Sequence, residues 1–78
     1  MNIKGGKMMT KVYASMAGNV WKIVVSEGEA VEADQDIVIL ESMKMEIPIA
    51  TEDGGIVKEI KVQEGDFVNE GDLIAVIE

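Results

Sequence analysis

The chain contains one stretch of sequence twice: GNVWKIVVSEG at positions 18–28 and GIVKEIKVQEG at positions 55–65. A shift of 37 residues superimposes the two stretches and keeps their glycines, their apolar positions and their closing Glu-Gly pairs in register. The match continues outward, with Val31 on Val68 and Glu41 on Glu78. Two copies of a thin β-unit, each unable to bury its own apolar face, are expected to pack together. The repeat therefore predicts a flattened β-barrel or sandwich with approximate two-fold symmetry.

Short runs of Val and Ile, closed by Gly, Asp or Asn, predict an all-β chain in which each copy has four strands. The predicted strands are residues 11–15, 19–26, 30–32, 36–42, 45–50, 55–62, 67–69 and 72–77. Pro48 lies inside the fifth strand, which predicts an edge position or a bulge there. Trp21 aligns with Lys58 of the second copy, so we expect the indole to be partly exposed.

The first ten residues show neither a helical nor a strand period. We predict that residues 1–10 are a flexible N-terminal extension and that residues 11–78 form one domain.

The composition excludes most catalytic apparatus. The 78 residues carry 15 acidic side chains and 7 basic ones, all lysine, for a net charge of −8, and include no histidine or cysteine. Without imidazole, thiolate or the usual zinc and iron ligands, we expect neither an independent enzyme nor a metal site. Negative charge without arginine disfavours nucleic acid as a partner. No apolar run reaches the length of a membrane span, so we expect a cytoplasmic domain with no membrane partner. We also expect the domain itself to be monomeric.

One segment has no counterpart in the repeat. Beyond Glu41 the first copy continues into Ser42-Met43-Lys44-Met45-Glu46, whereas the second copy stops at Glu78. We expect this segment to be a tight hairpin with an exposed lysine at its tip. The two-residue alternation of a strand predicts Met43 and Met45 on one side and Lys44 on the other. The amine would then lie between two flexible thioethers that adapt to a partner's pocket.

The sequence Glu41-Ser42-Met43-Lys44-Met45-Glu46 resembles the biotin attachment motif of the biotinyl domains in the biotinyl/lipoyl family, and the core of that motif is Met-Lys-Met on an exposed β-turn. It is most similar to the biotin carboxyl carrier domains of biotin-dependent carboxylases, and the resemblance extends from Val12 to the C-terminus. It implies a flattened antiparallel barrel-sandwich hybrid of two four-stranded sheets. Some bacterial carriers also have a protruding thumb between early strands, but the ungapped repeat predicts none here. Ser42 stands where alanine is common, and since both are small we expect modification to be preserved.

The resemblance also implies the function. A biotin protein ligase would attach biotin to Lys44, with Met43 and Met45 as flanking recognition residues. Glu41, Ser42 and Glu46 are further candidates for ligase recognition, although a solvated strand end is the favoured interpretation of each glutamate. The domain itself would be non-catalytic and would shuttle a carboxyl group from a biotin carboxylase to a carboxyltransferase. Acetyl-CoA carboxylase and fatty acid biosynthesis are an expected setting, while acetyl-CoA, pyruvate, another acyl-CoA and urea all stay open as acceptors.

Two alternatives to a biotin carrier stay open. A lipoyl carrier domain has the same kind of duplicated sandwich and hairpin lysine, but it usually places Asp before the lysine and a small residue after it. This chain has Met43 and Met45 in those positions. The other alternative is an unmodified β-module that mediates assembly.

Overall fold

The structure, a computed structural model, describes residues 9–78 and places eight strands in this range. The strands are β1 (Thr10–Tyr13), β2 (Gly18–Ile23), β3 (Ala30–Val31), β4 (Asp36–Ser42), β5 (Met45–Ala50), β6 (Gly55–Ile60), β7 (Phe67–Val68) and β8 (Leu73–Ile77). They form two antiparallel four-stranded sheets, ordered β1-β8-β6-β3 and β5-β4-β2-β7. The predicted fold class is confirmed. Within the same residues no helix is long and apolar enough to cross a bilayer.

Most strand bounds match the prediction, but β2 and β6 end earlier than their apolar runs. The runs were expected to reach residues 26 and 62, whereas the strands end at Ile23 and Ile60. The reason is that Val25, which follows β2, is a buried core residue carried on a loop. An apolar run records burial, and burial continues beyond the point where the ladder of hydrogen bonds stops.

The first strand begins one residue earlier than predicted. Thr10 was assigned to the extension, but it belongs to β1 and lies opposite Ile77 of β8. Residues 1–8 of the predicted extension lie outside the described residues, so the proposed division of the chain stays a prediction.

The two copies interleave rather than fold separately. Each sheet takes two strands from each copy: β3 of the first copy pairs with β6 of the second, and β7 of the second pairs with β2 of the first. The core is symmetric in the same way, because positions 37 residues apart are buried together. Equivalent buried pairs are Val12 and Ile49, Val20 and Val57, Val31 and Val68, Ile37 and Ile74, and Leu40 and Ile77.

Two Glu-Gly turns hold the copies to each other by a reciprocal exchange. The Gly28 amide donates to the Val57 carbonyl at 2.7 Å, and the Gly65 amide donates to the Val20 carbonyl at 2.8 Å. The preceding glutamates repeat the exchange with their side chains. The Ile60 amide donates to Glu27 Oε2 at 2.9 Å, and the Ile23 amide donates to Glu64 Oε2 at 3.1 Å.

The glycine amides of the two turns thus pair with backbone acceptors of the opposite copy, and the glutamate carboxylates pair with its backbone donors.

The predictions for Trp21 and Pro48 are both confirmed. The register shifts between Val20 and Lys22 in β2 and between Val57 and Glu59 in β6, so Trp21 and its counterpart Lys58 each lie at a bulge. The indole is 44% exposed. Pro48 lies on β5, an edge strand, where its missing N–H costs no ladder hydrogen bond.

The prediction that no thumb is present is also confirmed. The connection from β2 to β3 spans residues 24–29, and the connection from β6 to β7 spans residues 61–66. The two connections have equal length, so the first copy carries no insertion.

The repeat also generates a test of backbone conformation. Asp34 has a positive φ of 68°, and its counterpart Gly71 has a φ of 88°. Their amides make equivalent hydrogen bonds, to the Thr51 and Ala14 carbonyls. A Cβ is disfavoured at positive φ, so Asp34→Gly is expected to raise the free energy of unfolding by about 0.5–1 kcal/mol. Urea denaturation measures the change. Gly71→Asp is the matched control and is expected to lower stability by a similar amount; equal stabilities for the two variants would contradict this account.

Candidate functional site

The hairpin between β4 and β5 closes through a two-residue turn. Ser42 and Met45 form the last pair of the ladder, leaving Met43 and Lys44 as the central residues. Their φ angles are 51° and 65°, so both adopt the left-handed conformation that a type I′ turn requires. Such turns favour Asn-Gly because a Cβ is disfavoured at positive φ. The stability of the turn therefore does not explain why methionine and lysine occupy its two central positions.

We expected strand alternation to set the directions of the Met43, Lys44 and Met45 side chains, and this was wrong because Met43 and Lys44 are not in a strand. Met43 and Lys44 belong to the turn, and the alternation of β4 ends at Ser42. The turn conformation determines how the lysine side chain leaves the backbone.

The tip is exposed, whereas its base is firmly held. Met43 is 91% exposed and Met45 62%, and Lys44 is exposed as well. Leu40, two residues before Ser42, is fully buried, and β4 lies between β5 and β2 in its sheet. Among residues 9–78, no carboxylate lies within 4 Å of Lys44 Nζ. The primary amine is therefore open to a reacting group, on a support that does not depend on it.

Two carboxylates face each other just below the tip. Glu41 lies directly opposite Glu46 across β4 and β5, and both are exposed. Like charges in directly opposed positions destabilise a sheet slightly. At the other end of the molecule Glu78, the counterpart of Glu41, pairs with Lys58 at 3.9 Å. The residue equivalent to Lys58 is Trp21, and within the described part of the chain Glu41 has no such cation.

Gly18 allows β2 to lie close to the hairpin. A Cβ on Gly18 would stand 2.9 Å from the Glu41 carbonyl oxygen, closer than such atoms normally approach. Its counterpart Gly55 approaches the Glu78 carbonyl in the same way, with an expected Cβ to oxygen distance of 2.5 Å. The close approach of backbone to backbone explains why both positions are glycine.

A shallow open groove of about 410 Å³ runs beside the hairpin. Its lining residues are Ala17, Gly18, Asn19, Glu41, Ser42, Met43, Lys44 and Phe67. The structure thus brings four residues from other strands and loops to the predicted site, while Met45 and Glu46 lie outside the groove lining. The sequence analysis did not single out Phe67 for a functional part. The sequence does hold one indication, because the repeat aligns Phe67 with Ala30 and the two side chains differ greatly in size.

The residues that the structure describes at the site form no metal-binding cluster. Within residues 9–78, no three His, Cys, Asp or Glu side chains are placed to hold an ion together. The chemistry that the groove and hairpin can support is therefore that of an accessible primary amine beside exposed thioethers, an aromatic ring and two carboxylates.

Comparison with known proteins assigns the chain to a group of relatives. Residues 8–77 match the biotin/lipoyl family model, which is described as "Biotin-requiring enzyme". The chain is 59% identical over 63 residues to the biotin/lipoyl attachment protein of Bacillus subtilis, covering 81% of this chain and 86% of that protein. It is 46% identical over 70 residues to the biotinylated protein TB7.3 homolog of Mycobacterium leprae, covering 90% and 99% of the two chains.

Solved structures agree with the fold. The urea carboxylase of Kluyveromyces lactis matches with a TM-score of 0.87 and 33% identity, over 100% of this chain but only 7% of that one. The lipoyl domain of the 2-oxoglutarate dehydrogenase complex from Azotobacter vinelandii matches with a TM-score of 0.72 and 29% identity, over 88% and 95% of the two chains. The same architecture therefore occurs both in a carboxylase and as a lipoyl domain.

The strained turn leads to a test of stability. Met43→Asn places the favoured residue at the first central position of a type I′ turn. We expect the free energy of unfolding to rise by about 0.5–1 kcal/mol, because asparagine tolerates positive φ better than methionine does. Met45→Asn is the control, since it puts a poor strand former on β5 and is expected to lower stability. Denaturation curves in which Met43→Asn is the less stable variant would contradict the turn assignment.

Proposed function

This chain belongs to the biotin/lipoyl attachment family, and we propose that it is a biotin carboxyl carrier with biotin joined as an amide to Lys44. The observation that carries the proposal is the position of Lys44 in the two-residue turn, exposed and flanked by two exposed methionines. A carrier role within biotin-dependent carboxylases accords with the relatives, which include a urea carboxylase and a biotinylated protein.

The residues present fit an attached group. Amide formation requires that a ligase first join the carboxyl group of biotin to AMP, with release of pyrophosphate from ATP. Nζ then attacks the carboxyl carbon, and as the C–N bond forms the C–O bond to AMP breaks, so that AMP and one proton from the amine leave. Nothing among the described residues engages Nζ as an ion-pair partner, so no internal bond must break first. Amide formation also removes one positive charge, and because the tip is already exposed, no part of the fold must open for the amine to be reached.

The domain's own contribution is presentation. Biotin supplies the carbon dioxide-carrying ureido chemistry when attached, and the domain supplies a reachable and well-supported anchor. Lys44 stands on a hairpin whose β4 strand is buried at Leu40, so the tip can enter another protein's site without loss of the core. We propose that the carrier moves a carboxyl group between a biotin carboxylase and a carboxyltransferase, in the cytoplasm.

The residues beside Lys44 are assigned to recognition. Met43 and Met45 offer exposed, polarisable thioethers to the partner's pocket. Glu41 and Glu46 offer two negative charges at the neck of the hairpin, and Ser42 is a small, half-buried residue between them and the tip.

Replacing the acceptor lysine tests the attachment site. After incubation with a biotin protein ligase, biotin and ATP, intact mass is expected to show one biotinoyl group on the wild-type protein, and peptide mapping is expected to place it on Lys44. Lys44→Arg keeps the positive charge but offers no acceptor for this amide, so labelling is expected to be abolished while the fold is preserved. Lys61→Arg, in the connection that follows β6, is the control and is expected to be labelled as the wild type is.

The same measurement separates the alternatives. Labelling of Lys44→Arg would place the acceptor at another lysine. A lipoyl mass, obtained with lipoyl ligase in place of biotin ligase and without biotin labelling, would favour a lipoyl carrier. A protein that accepts neither group would favour an assembly module.

A further inference from the structure

The groove beside the hairpin has an exposed aromatic side chain that the equivalent surface at the other end of the molecule lacks. The repeat makes Gly54, Gly55 and Glu78 the equivalents of Ala17, Gly18 and Glu41 in the groove lining. The residue equivalent to Phe67 is Ala30, and Phe67 is 62% exposed. Because the other copy folds with alanine at the equivalent position, the fold does not require a large ring there. Together with the exposed Met43 in the same groove, Phe67 forms an apolar patch of the kind that marks a contact surface.

The backbone holds Phe67 rigidly. It pairs with Asn19 in the short β7 to β2 ladder, and the next residue, Val68, is only 3% exposed. Two hydrogen bonds with Val20 fix the turn before it. The Gly65 amide donates to the Val20 carbonyl at 2.8 Å, and the Val20 amide donates to the Asp66 carbonyl at 2.7 Å. A ring on a fixed backbone loses little conformational freedom when a partner covers it. Phe67 can thus act as a rigid anchor beside the flexible methionines of the tip.

The charge around the groove indicates the chemistry of the partner. Glu41 lines the groove and faces Glu46 across the hairpin, and neither carboxylate has a cation within 4 Å among residues 9–78. A basic surface on the partner would relieve their repulsion. The groove therefore suits an apolar contact bordered by lysine or arginine.

The identity of the partner follows from what each enzyme must recognise, and this step rests on the proposed function. A carboxylase or a carboxyltransferase reacts with biotin, whereas a ligase reacts with a bare amine and must select one lysine of seven. The amines are chemically alike, so selection depends on the surface within reach of Lys44. Phe67 and Lys44 line the same groove.

We propose that this groove is the docking surface for the biotin protein ligase, with Phe67 as its apolar anchor. Phe67 is a positioning residue: it holds the ligase in place over Lys44 and takes no part in amide formation. Truncation of the ring should therefore weaken docking without slowing the chemical step.

The test measures initial rates of biotin transfer from a purified biotin protein ligase, with ATP and biotin, at varied concentrations of the carrier. Phe67→Ala, which copies the residue at position 30, is expected to raise the KM for the carrier about ten-fold and to leave kcat unchanged. Tyr13→Ala is the matched control, because Tyr13 is a 51% exposed aromatic that lies outside the groove. We expect it to keep the KM of the wild type. Circular dichroism and urea denaturation check that both variants are folded.

A second variant covers the possibility that Phe67→Ala is less well folded. Phe67→Leu keeps an apolar side chain and is expected to have a KM between those of the wild type and Phe67→Ala. If both variants are folded and have the wild-type KM, or if kcat alone falls, the groove is not the docking surface. Absence of labelling on the wild-type protein would instead overturn the proposed function, so the two failures are distinguishable.

Discussion

The reciprocal exchange between the two Glu-Gly turns is the interaction on which the rest of the structure depends. Each turn donates a glycine amide and offers a glutamate carboxylate to the other copy. A four-strand unit of this kind has half of a core and unsatisfied strand edges, so neither copy is expected to be stable alone. The exchange ties the edges together at the place where the apolar faces meet, and both sheets become continuous across the repeat.

Symmetry in the core allows asymmetry at the surface. Buried positions in the two copies carry similar apolar residues, because the same volume must be filled twice. Exposed positions are not bound by that requirement, and they differ on both sheets. On the hairpin sheet Trp21 and Phe67 stand where the other copy has Lys58 and Ala30, and on the other sheet Tyr13 and Ile56 stand where it has Ala50 and Asn19. Each sheet therefore presents its own surface, and Lys58 pairs with Glu78 where the hairpin sheet has an indole.

Much of this arrangement could be predicted from the sequence, because it depends on patterns that recur along the chain. The repeat predicted eight strands and two sheets, and the chemistry of proline and of a mismatched tryptophan predicted an edge strand and a partly exposed indole. Three features could not be read in that way. Val25 is buried on a loop, so its apolar run overstated the length of β2. The turn at Met43 lacks the Asn-Gly signature of its type. The groove joins Phe67 to Lys44, residues from strands that are far apart in sequence, and only the pairing of β7 with β2 brings them together.

The position of the first and last strands has a consequence for how such a module is used. β1 and β8 are neighbours, with Thr10 opposite Ile77, and Thr10 Oγ1 donates to Asp53 Oδ2 at 3.0 Å, beyond the far end of β5 from the tip. The length of β4, about 20 Å, separates that region from the turn. Both polypeptide connections therefore leave on one side while the lysine projects from the other. A unit with this geometry can be inserted into a much longer polypeptide, or circularly permuted at its neighbouring ends, without obstructing the hairpin tip.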